Sequence, residues 1–438
     1  MERRKILKTV SLGTVLMALS NCNSSGSRVA KTLNGESNTT NGKLGKLRSD
    51  RKIAARRVRR IIMNNDGHDF NNLAPGEEVT PESMLAKRTV GLLGTHVDSI
   101  FYCTGVFNSY THKSEESDLR TDDGKTDAVH FHELICQGTD SLEVMTSFCR
   151  QHGIEVFWSM RMNDKHEATR PYYTSLKWKK ENPQCLMGRN GEESLRDATW
   201  RFMLDYGVDA SREKVYRILA DVADRYDVDG MELDFFRHPV YFLPQATGEE
   251  VKDEHRELMT GLIRRVRKMT EDVGTKRGRP LLIGIRVPDS VGYCRAMGLD
   301  LERWLTEDLV DLVVFGGYFK LEPWQNAAEL GRRYGVPVYA CLVSRRVLMG
   351  GEAETKTSAE GLGRWRGEAL AAWRAGMNGI YTFNRFEPHD QLFNELGDSN
   401  LLADLERIDQ TSYAAEKGFG DPGHWLQGGR KFIRHTSI

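Results

Sequence analysis

The chain has 438 residues, 39% of them hydrophobic, enough to bury a large core in one large domain or two ordinary ones. Lys plus Arg and Asp plus Glu number 62 each, so no global field draws the protein to nucleic acid or to an anionic membrane surface, and no nucleic-acid partner is expected.

The N-terminus, MERRKILKTVSLGTVLMALSNC, has a charged start and then an apolar run, residues 10–19, too short to span a bilayer. It reads as an export signal over residues 1–22. The stretch from Arg3 to Lys8 resembles a twin-arginine signal, and LSNC resembles a lipobox that would lipidate Cys22, although Asn21 is larger than the small residue usual before that cysteine. An exported protein is expected, periplasmic or anchored to a membrane through Cys22. Residues 23–55 read as a flexible linker: 23–47 are rich in Ser, Asn, Gly and Thr, and the basic run RSDRKIAARRVRR (48–60) reads as a solvated lead-in to the first strand.

From residue 57 short apolar runs alternate with amphipathic segments eight times. The strand candidates are VRRIIMNN (58–65), DSIFYCTG (98–105), IEVFWSMRMN (154–163), DGMELDFF (229–236), LLIGIRVP (281–288), DLVVFGGYF (311–319), VPVYACLV (336–343) and GIYTFNRF (379–386). Helical patterns such as SREKVYRILADVADRYD (211–227) and GLGRWRGEALAAWRAG (361–376) lie between them. Eight such units imply a parallel sheet closed into a single-domain (β/α)8 TIM barrel over residues 56–395, followed by a final helix and an irregular tail over 396–438. The alternative, a doubly wound sheet, requires a glycine-rich phosphate turn after the first strand, where the chain reads NNDGHDFNN instead.

In a barrel, alternate side chains on each strand face the helices and the interior. The fourth strand then points Met231, Leu233 and Phe235 outward and Gly230, Glu232, Asp234 and Phe236 inward. The third leaves Phe157, Ser159, Arg161 and Asn163 inward, and the fifth Gly284 and Arg286. The polar inward positions gather toward the C-terminal strand ends, where barrel enzymes place their active sites. That mouth would also collect Asp66, Asp164, His166, Asp289, Tyr318 and Asn384. Its carboxylates, arginines, amides and rings suit acetal hydrolysis, which needs a proton donor for the leaving oxygen and a carboxylate as nucleophile or base. Trp158, Tyr172, Tyr173 and Trp178 are candidate sugar-stacking rings, with core or loop packing as their alternative role.

The segment LDYGVDASREKVYRILADVADRYDVDGMELDFFRHP (204–239), with SMRMNDKHE (159–167) and FGGYF (315–319), resembles glycoside hydrolase-like family 10, secreted TIM-barrel proteins assigned to carbohydrate cleavage. The resemblance implies a carbohydrate substrate for residues 57 to about 395. DGMELDFF is also similar to the strand-four DGxDxDxE motif of family 18 chitinases, but Phe236 occupies the place of the proton-donating glutamate. Substrate-assisted chitinase chemistry is therefore not expected.

The catalytic candidates are Asp234 as nucleophile or base, Glu232 one pleat deeper as its partner, and Asp289 as the acid, with Asp164 as the alternative. The substrate-binding candidates are Arg161, Asn163, Asp164, His166, Arg237, His238, Arg286, Tyr318 and Asn384. For Arg161, Arg237 and Arg286 two roles stand open: neutralising the strand-four carboxylates, or binding an anionic or sulfated sugar. No cofactor is expected, and the scattered cysteines include no CxxC or His pairing at metal-ligand spacing. The alternatives to a hydrolase are a catalytically silent carbohydrate-binding barrel and a metal-dependent barrel hydrolase or lyase, the latter placing Asp66, Asp164 and Asp234 as ligands.

Overall fold

The computed structural model describes residues 42–71, 73–74, 76–120, 128–168, 176–348, 358–409 and 418–434. Residues 47–438 form one compact unit. Residues 1–22, read from sequence as an export signal and including Cys22, and the ring candidates Tyr172 and Tyr173 lie outside the described residues. Among the described residues no helix is long and apolar enough to cross a membrane.

All eight strand candidates become strands of one closed parallel barrel: β1 Ile61–Asn65, β2 Val97–Tyr102, β3 Glu155–Arg161, β4 Gly230–Asp234, β5 Leu282–Val287, β6 Leu312–Phe315, β7 Val338–Val343 and β8 Ile380–Phe383. Each pairs with its neighbours in chain order, and β8 closes on β1. Helices follow the strands: α1 Pro81–Arg88, α2 Ser141–His152, α3 Asp209–Arg225, α4 Asp253–Arg277, α5 Leu301–Thr306, α6 Trp324–Tyr334, α7 Ala359–Ala375 and α8 Ser399–Asp404. Local chemistry sets their ends. Asp140 caps α2 by accepting from the amides of Leu142 and Glu143, and Gly153, with φ of 70°, stops it in the left-handed conformation.

The inward faces stack in layers from the N-terminal end upward. At the bottom Arg59 donates to both oxygens of Glu155, each at 2.6 Å, and Ser99 donates to the same carboxylate at 2.6 Å. Above it Phe101 and Phe157 stack at 4.4 Å. Gly230 faces this ring, and a Cβ there would come within 2.2 Å of Phe157. The next two layers are polar, because register aligns Ser159, Glu232 and Gly284, then Arg161, Asp234 and Arg286.

Two sequence expectations change at the chain ends. Residues 51–55, assigned to the linker, are helical, and Leu47, Arg51 and Ala55 are buried. The basic run is in part paired and in part solvated: Arg48 meets Glu271 at 2.7 Å, Arg51 meets Asp311 at 3.2 Å and Arg60 meets Asp98 at 2.8 Å, while Arg56 and Arg57 are exposed. The tail is docked as well. Trp425 is buried and stacks on Trp200 at 6.1 Å, the Tyr293 hydroxyl donates to the Pro422 carbonyl at 2.8 Å, and the Arg434 amide donates to the Leu321 carbonyl at 2.7 Å. A segment read as irregular thus covers loops that follow β3, β5 and β6.

The six cysteines among the described residues are free thiols, and five of them are buried.

Candidate functional site

The two strand-four carboxyl groups point into the barrel as alternation requires, and their surroundings differ. Asp234 is held by a bidentate fork: Arg286 donates Nε to Oδ1 at 2.9 Å and Nη2 to Oδ2 at 2.7 Å. The Phe236 amide adds a third bond to Oδ1 at 2.9 Å. Arg286 also lies over the Phe383 ring at 4.0 Å and is wholly buried. A fork of this geometry is the bidentate arrangement in which arginine binds a carboxylate most strongly.

Glu232 has no such cation. Its Oε2 accepts from Ser159 and, at 3.1 Å, from the Tyr381 hydroxyl, while its buried Oε1 has no hydrogen-bond partner. Burial first, and then the neighbouring Asp234 charge, push its pKa up to about 7, against the smaller opposing effect of Arg286. The oxygen that accepts two hydrogen bonds is the unprotonated one, so the retained proton belongs on Oε1.

Nearer the strand ends, β1 and β3 contribute a rim of charged groups. Arg88 of α1 reaches Asp66 at 2.5 Å. Burial opposes ionisation of Asp66, but His68, Arg88 and Arg161 hold it below the usual carboxylate range. Asp164 turns back on its own loop: its Oδ1 accepts from the amide of His166 at 2.8 Å and pairs with His166 Nδ1 at 2.7 Å. Its Oδ2 has no hydrogen-bond partner and lies 3.7 Å from Arg161 Nη1 and 3.8 Å from His238 Nδ1. The facing imidazoles and Arg161 outweigh burial and keep Asp164 charged, well below the ordinary value. Arg237 closes the group by donating to Nε2 of both histidines, at 3.1 Å to His166 and 3.3 Å to His238.

Burial is the largest influence on both histidines. It brings His166 down to about 4 and His238 well below its normal value, so both are neutral near pH 7. With each Nε2 accepting from Arg237, the ring proton of each lies on Nδ1, directed at Asp164. This trio has the residue types of a metal site, and its donor atoms lie within 4.8 Å of one another. The fit to a cation is poor on two counts. A metal at the Nδ1 atoms would have to displace the protons that the Arg237 fork places there, and it would lie beside the Arg161 charge.

The remaining expected site residues separate into those at the mouth and those in the scaffold. Tyr318 is at the mouth, with Arg237 5.8 Å above its ring and Phe419 of the tail at 5.6 Å. Asn163 is scaffold: it donates to the carbonyls of Leu204 at 2.9 Å and Val240 at 2.7 Å and accepts from the Leu204 amide at 3.0 Å, so both of its amide donors are spent on backbone. Asn384 adopts a left-handed φ of 57°, marking the turn that ends β8.

Asp289 does not join the strand-four carboxylates. Its Oδ1 accepts from the Leu321 amide at 3.1 Å and its Oδ2 from buried Arg346 at 2.9 Å, and Arg346 in turn stacks 4.2 Å over Trp324 of α6. The expected mouth acid is therefore bound into the packing between the β6 loop and the helix layer, even though burial raises its pKa. Trp158 likewise faces outward, donating to Thr104 at 2.9 Å, and Trp178 packs on Phe107 at 5.8 Å.

Sequence reasoning missed Tyr381, whose inward place on β8 was readable from alternation, and the tail residues Phe419, His424 and Trp425. The tail aromatics flank Lys165, which lies 5.2 Å from the Phe419 ring and 5.4 Å from the Trp425 ring. No local signal in GFGDPGHWLQGG predicts that return. Two clefts of about 470 and 410 Å³ lie elsewhere, one against the tail beside Arg256, Arg295 and Lys431 and one at the N-terminal end beside Arg56, Arg332 and Tyr339. Neither is lined by any of the groups above.

No protein-family model matches this chain, and no curated protein matches it in sequence. Among solved structures it is similar to an alpha-L-fucosidase isoenzyme from Paenibacillus thiaminolyticus (15% identity over 79% of this chain, TM-score 0.44). The chain spans about half, 49%, of that fucosidase. It is also similar to the PgaB glycoside hydrolase domain of Bordetella bronchiseptica (10% identity, 81% of this chain and 100% of that one, TM-score 0.49). A third similar structure is a family 18 N-acetylglucosaminidase from Paenibacillus barengoltzii (12% identity, 78% and 98%, TM-score 0.41). At these identities the similarities say nothing about chemistry.

Proposed function

We propose that this protein is an exported glycoside hydrolase that cleaves O-glycosidic bonds in oligo- or polysaccharides at the C-terminal mouth of its barrel. The observation that carries the reading is the pair on β4. Glu232 and Asp234 share one face of a strand, about 6–7 Å apart along it; burial holds the proton on Glu232 toward neutrality, while Asp234 is bound in the Arg286 fork. A carboxyl group with a raised pKa beside a second carboxyl group held by an arginine suits the acid and the base or nucleophile roles. Asp234 takes the role of charged group and Glu232 that of proton donor, a role the sequence analysis had given to Asp289. The resemblance of residues 159–167, 204–239 and 315–319 to glycoside hydrolase-like family 10 supports the class of reaction.

The test is a screen of the purified protein against neutral, uronate-containing and sulfated polysaccharides, with new reducing ends as readout and the product anomer read by NMR. Glu232→Gln and Asp234→Asn should each lower cleavage at least 100-fold. Cleavage that survives both changes undiminished would remove these residues from the chemistry. One observation favours a second reading, a barrel that binds saccharide without cutting it: Arg286 occupies both oxygens of Asp234, and the two carboxyl groups are at most 2% exposed. Saturable saccharide binding by the wild type with no product formed would establish that reading. Export and lipidation at Cys22 are tested by the mass of the mature N-terminal peptide from membrane and periplasmic fractions, which carries a diacylglycerol on Cys22 if the proposal holds.

A further inference from the structure

The mouth arginines divide into two kinds. Arg286 and Arg88 each hold a carboxylate at hydrogen-bonding distance. Arg161 and Arg237 hold none. The Arg161 side chain is only 9% exposed, yet among the described residues its guanidinium makes no hydrogen bond, and the carboxylate it pairs with there, Asp164, has Oδ2 3.7 Å away, beyond hydrogen-bonding range. Arg237 gives one N–H from each terminal nitrogen to two neutral imidazoles. A guanidinium taken out of water without bonded acceptors is costly, and its fork of N–H groups fits a carboxylate or sulfate. Beside it, Asp164 Oδ2 and His238 Nδ1 are also buried without hydrogen-bond partners, 3.8 Å apart. They present one acceptor and one donor to the same space, the complement of a hydroxyl group.

We infer that the space bounded by Arg161, Asp164, His238 and Arg237 is a subsite for an acidic sugar residue, one whose ring carries both a carboxylate or sulfate and a neighbouring hydroxyl. Arg161 grips the anionic group, Arg237 adds charge from the β4 loop, and the ring hydroxyl donates to Asp164 Oδ2 while accepting from His238 Nδ1. Between the two roles open for the arginines in the sequence, Arg286 neutralises Asp234, and Arg161 and Arg237 face the ligand. This deepens the proposed function by naming its substrate class, and it rests on the mouth being a saccharide site.

The experiment measures binding, so that its outcome is separate from cleavage. Titration calorimetry compares the full chain with oligogalacturonides, a sulfated galacto-oligosaccharide, the neutral galacto-oligosaccharide of equal length, and inorganic sulfate. The acidic oligosaccharides should bind at least tenfold more tightly than the neutral one and than inorganic sulfate, and the arm that binds better decides between carboxylate and sulfate. Arg161→Met should abolish that preference, and Arg161→Lys should restore part of it. Arg237→Gln, a partly exposed site, should reduce it independently if Arg161→Met fails to fold. Equal binding of acidic and neutral sugars by the wild type, or an acidic preference unaltered in folded Arg161→Met and Arg237→Gln, overturns the inference. Acidic-sugar binding without cleavage would sink only the hydrolase reading, and cleavage confined to neutral sugars would sink only this one.

Discussion

Removing Arg286 while leaving Asp234 should unfold this barrel more readily than removing both. The pair is buried in the barrel interior, with side-chain exposures of 0% and 3% and two bonds of 2.7 and 2.9 Å. Arg286→Met leaves the Asp234 carboxylate with one backbone amide as its bonded donor and strips away the cation that opposes the upward push on Glu232. Breaking one side of a buried pair costs about 3–5 kcal/mol, whereas replacing both sides with apolar groups of similar volume is often close to neutral. Unfolding entropy of about 2.1 cal/mol/K per residue over this unit makes each kcal/mol worth roughly 1 °C in Tm. Arg286→Met should therefore melt about 3–6 °C lower by calorimetry or circular dichroism, and Arg286→Met/Asp234→Leu should regain more than half of that loss. A double variant as unstable as the single one would show that Arg286 acts by filling space between Phe383 and Cys341, and the electrostatic account would be wrong.

Glu232 sets a pH dependence of stability. Its folded pKa of about 7 exceeds the unfolded carboxylate value, so its stabilising effect is complete below about pH 4.5 and is lost as pH rises through 7. The loss is on the order of 3 kcal/mol; Glu232→Gln should flatten the stability profile between pH 5 and 8, and a denaturation midpoint with the wild-type slope over that window would refute the assignment. Gly230→Ala puts a Cβ 2.2 Å from the Phe157 ring, so it should cost about 1–3 kcal/mol in urea unfolding through overpacking of the barrel interior. Trp425→Ala should cost about 3–5 kcal/mol, because the indole is wholly buried against Trp200 and Phe419; a change under 1 kcal/mol would mean the tail is not part of the folded unit.

The eight strands and the direction of their side chains were legible in the sequence because a barrel imposes one local rule on every strand. Period-two alternation is carried by each run by itself, so Ser159, Arg161, Glu232, Asp234, Gly284 and Arg286 could be placed inward before any neighbour was known. Pairing could not. Which cation meets which carboxylate depends on register between strands far apart in sequence, and the register across β4 and β5 gave Asp234 to Arg286. It depends equally on loop paths: the path after β5 and β7 gave Asp289 to Arg346, removing a residue that position alone had made a catalytic acid. The helix over residues 47–55 and the docked tail were hidden for the same reason, since charge-rich and glycine-rich stretches carry little periodicity and are fixed by distant partners such as Glu271, Asp311, Trp200 and Tyr293. Sequence by itself determined the barrel, the face of each strand and the end at which polar groups collect. Tertiary structure alone decided which of those groups pair with one another inside the protein and which, Arg161 and Arg237 among them, have no carboxylate at hydrogen-bonding distance among the described residues.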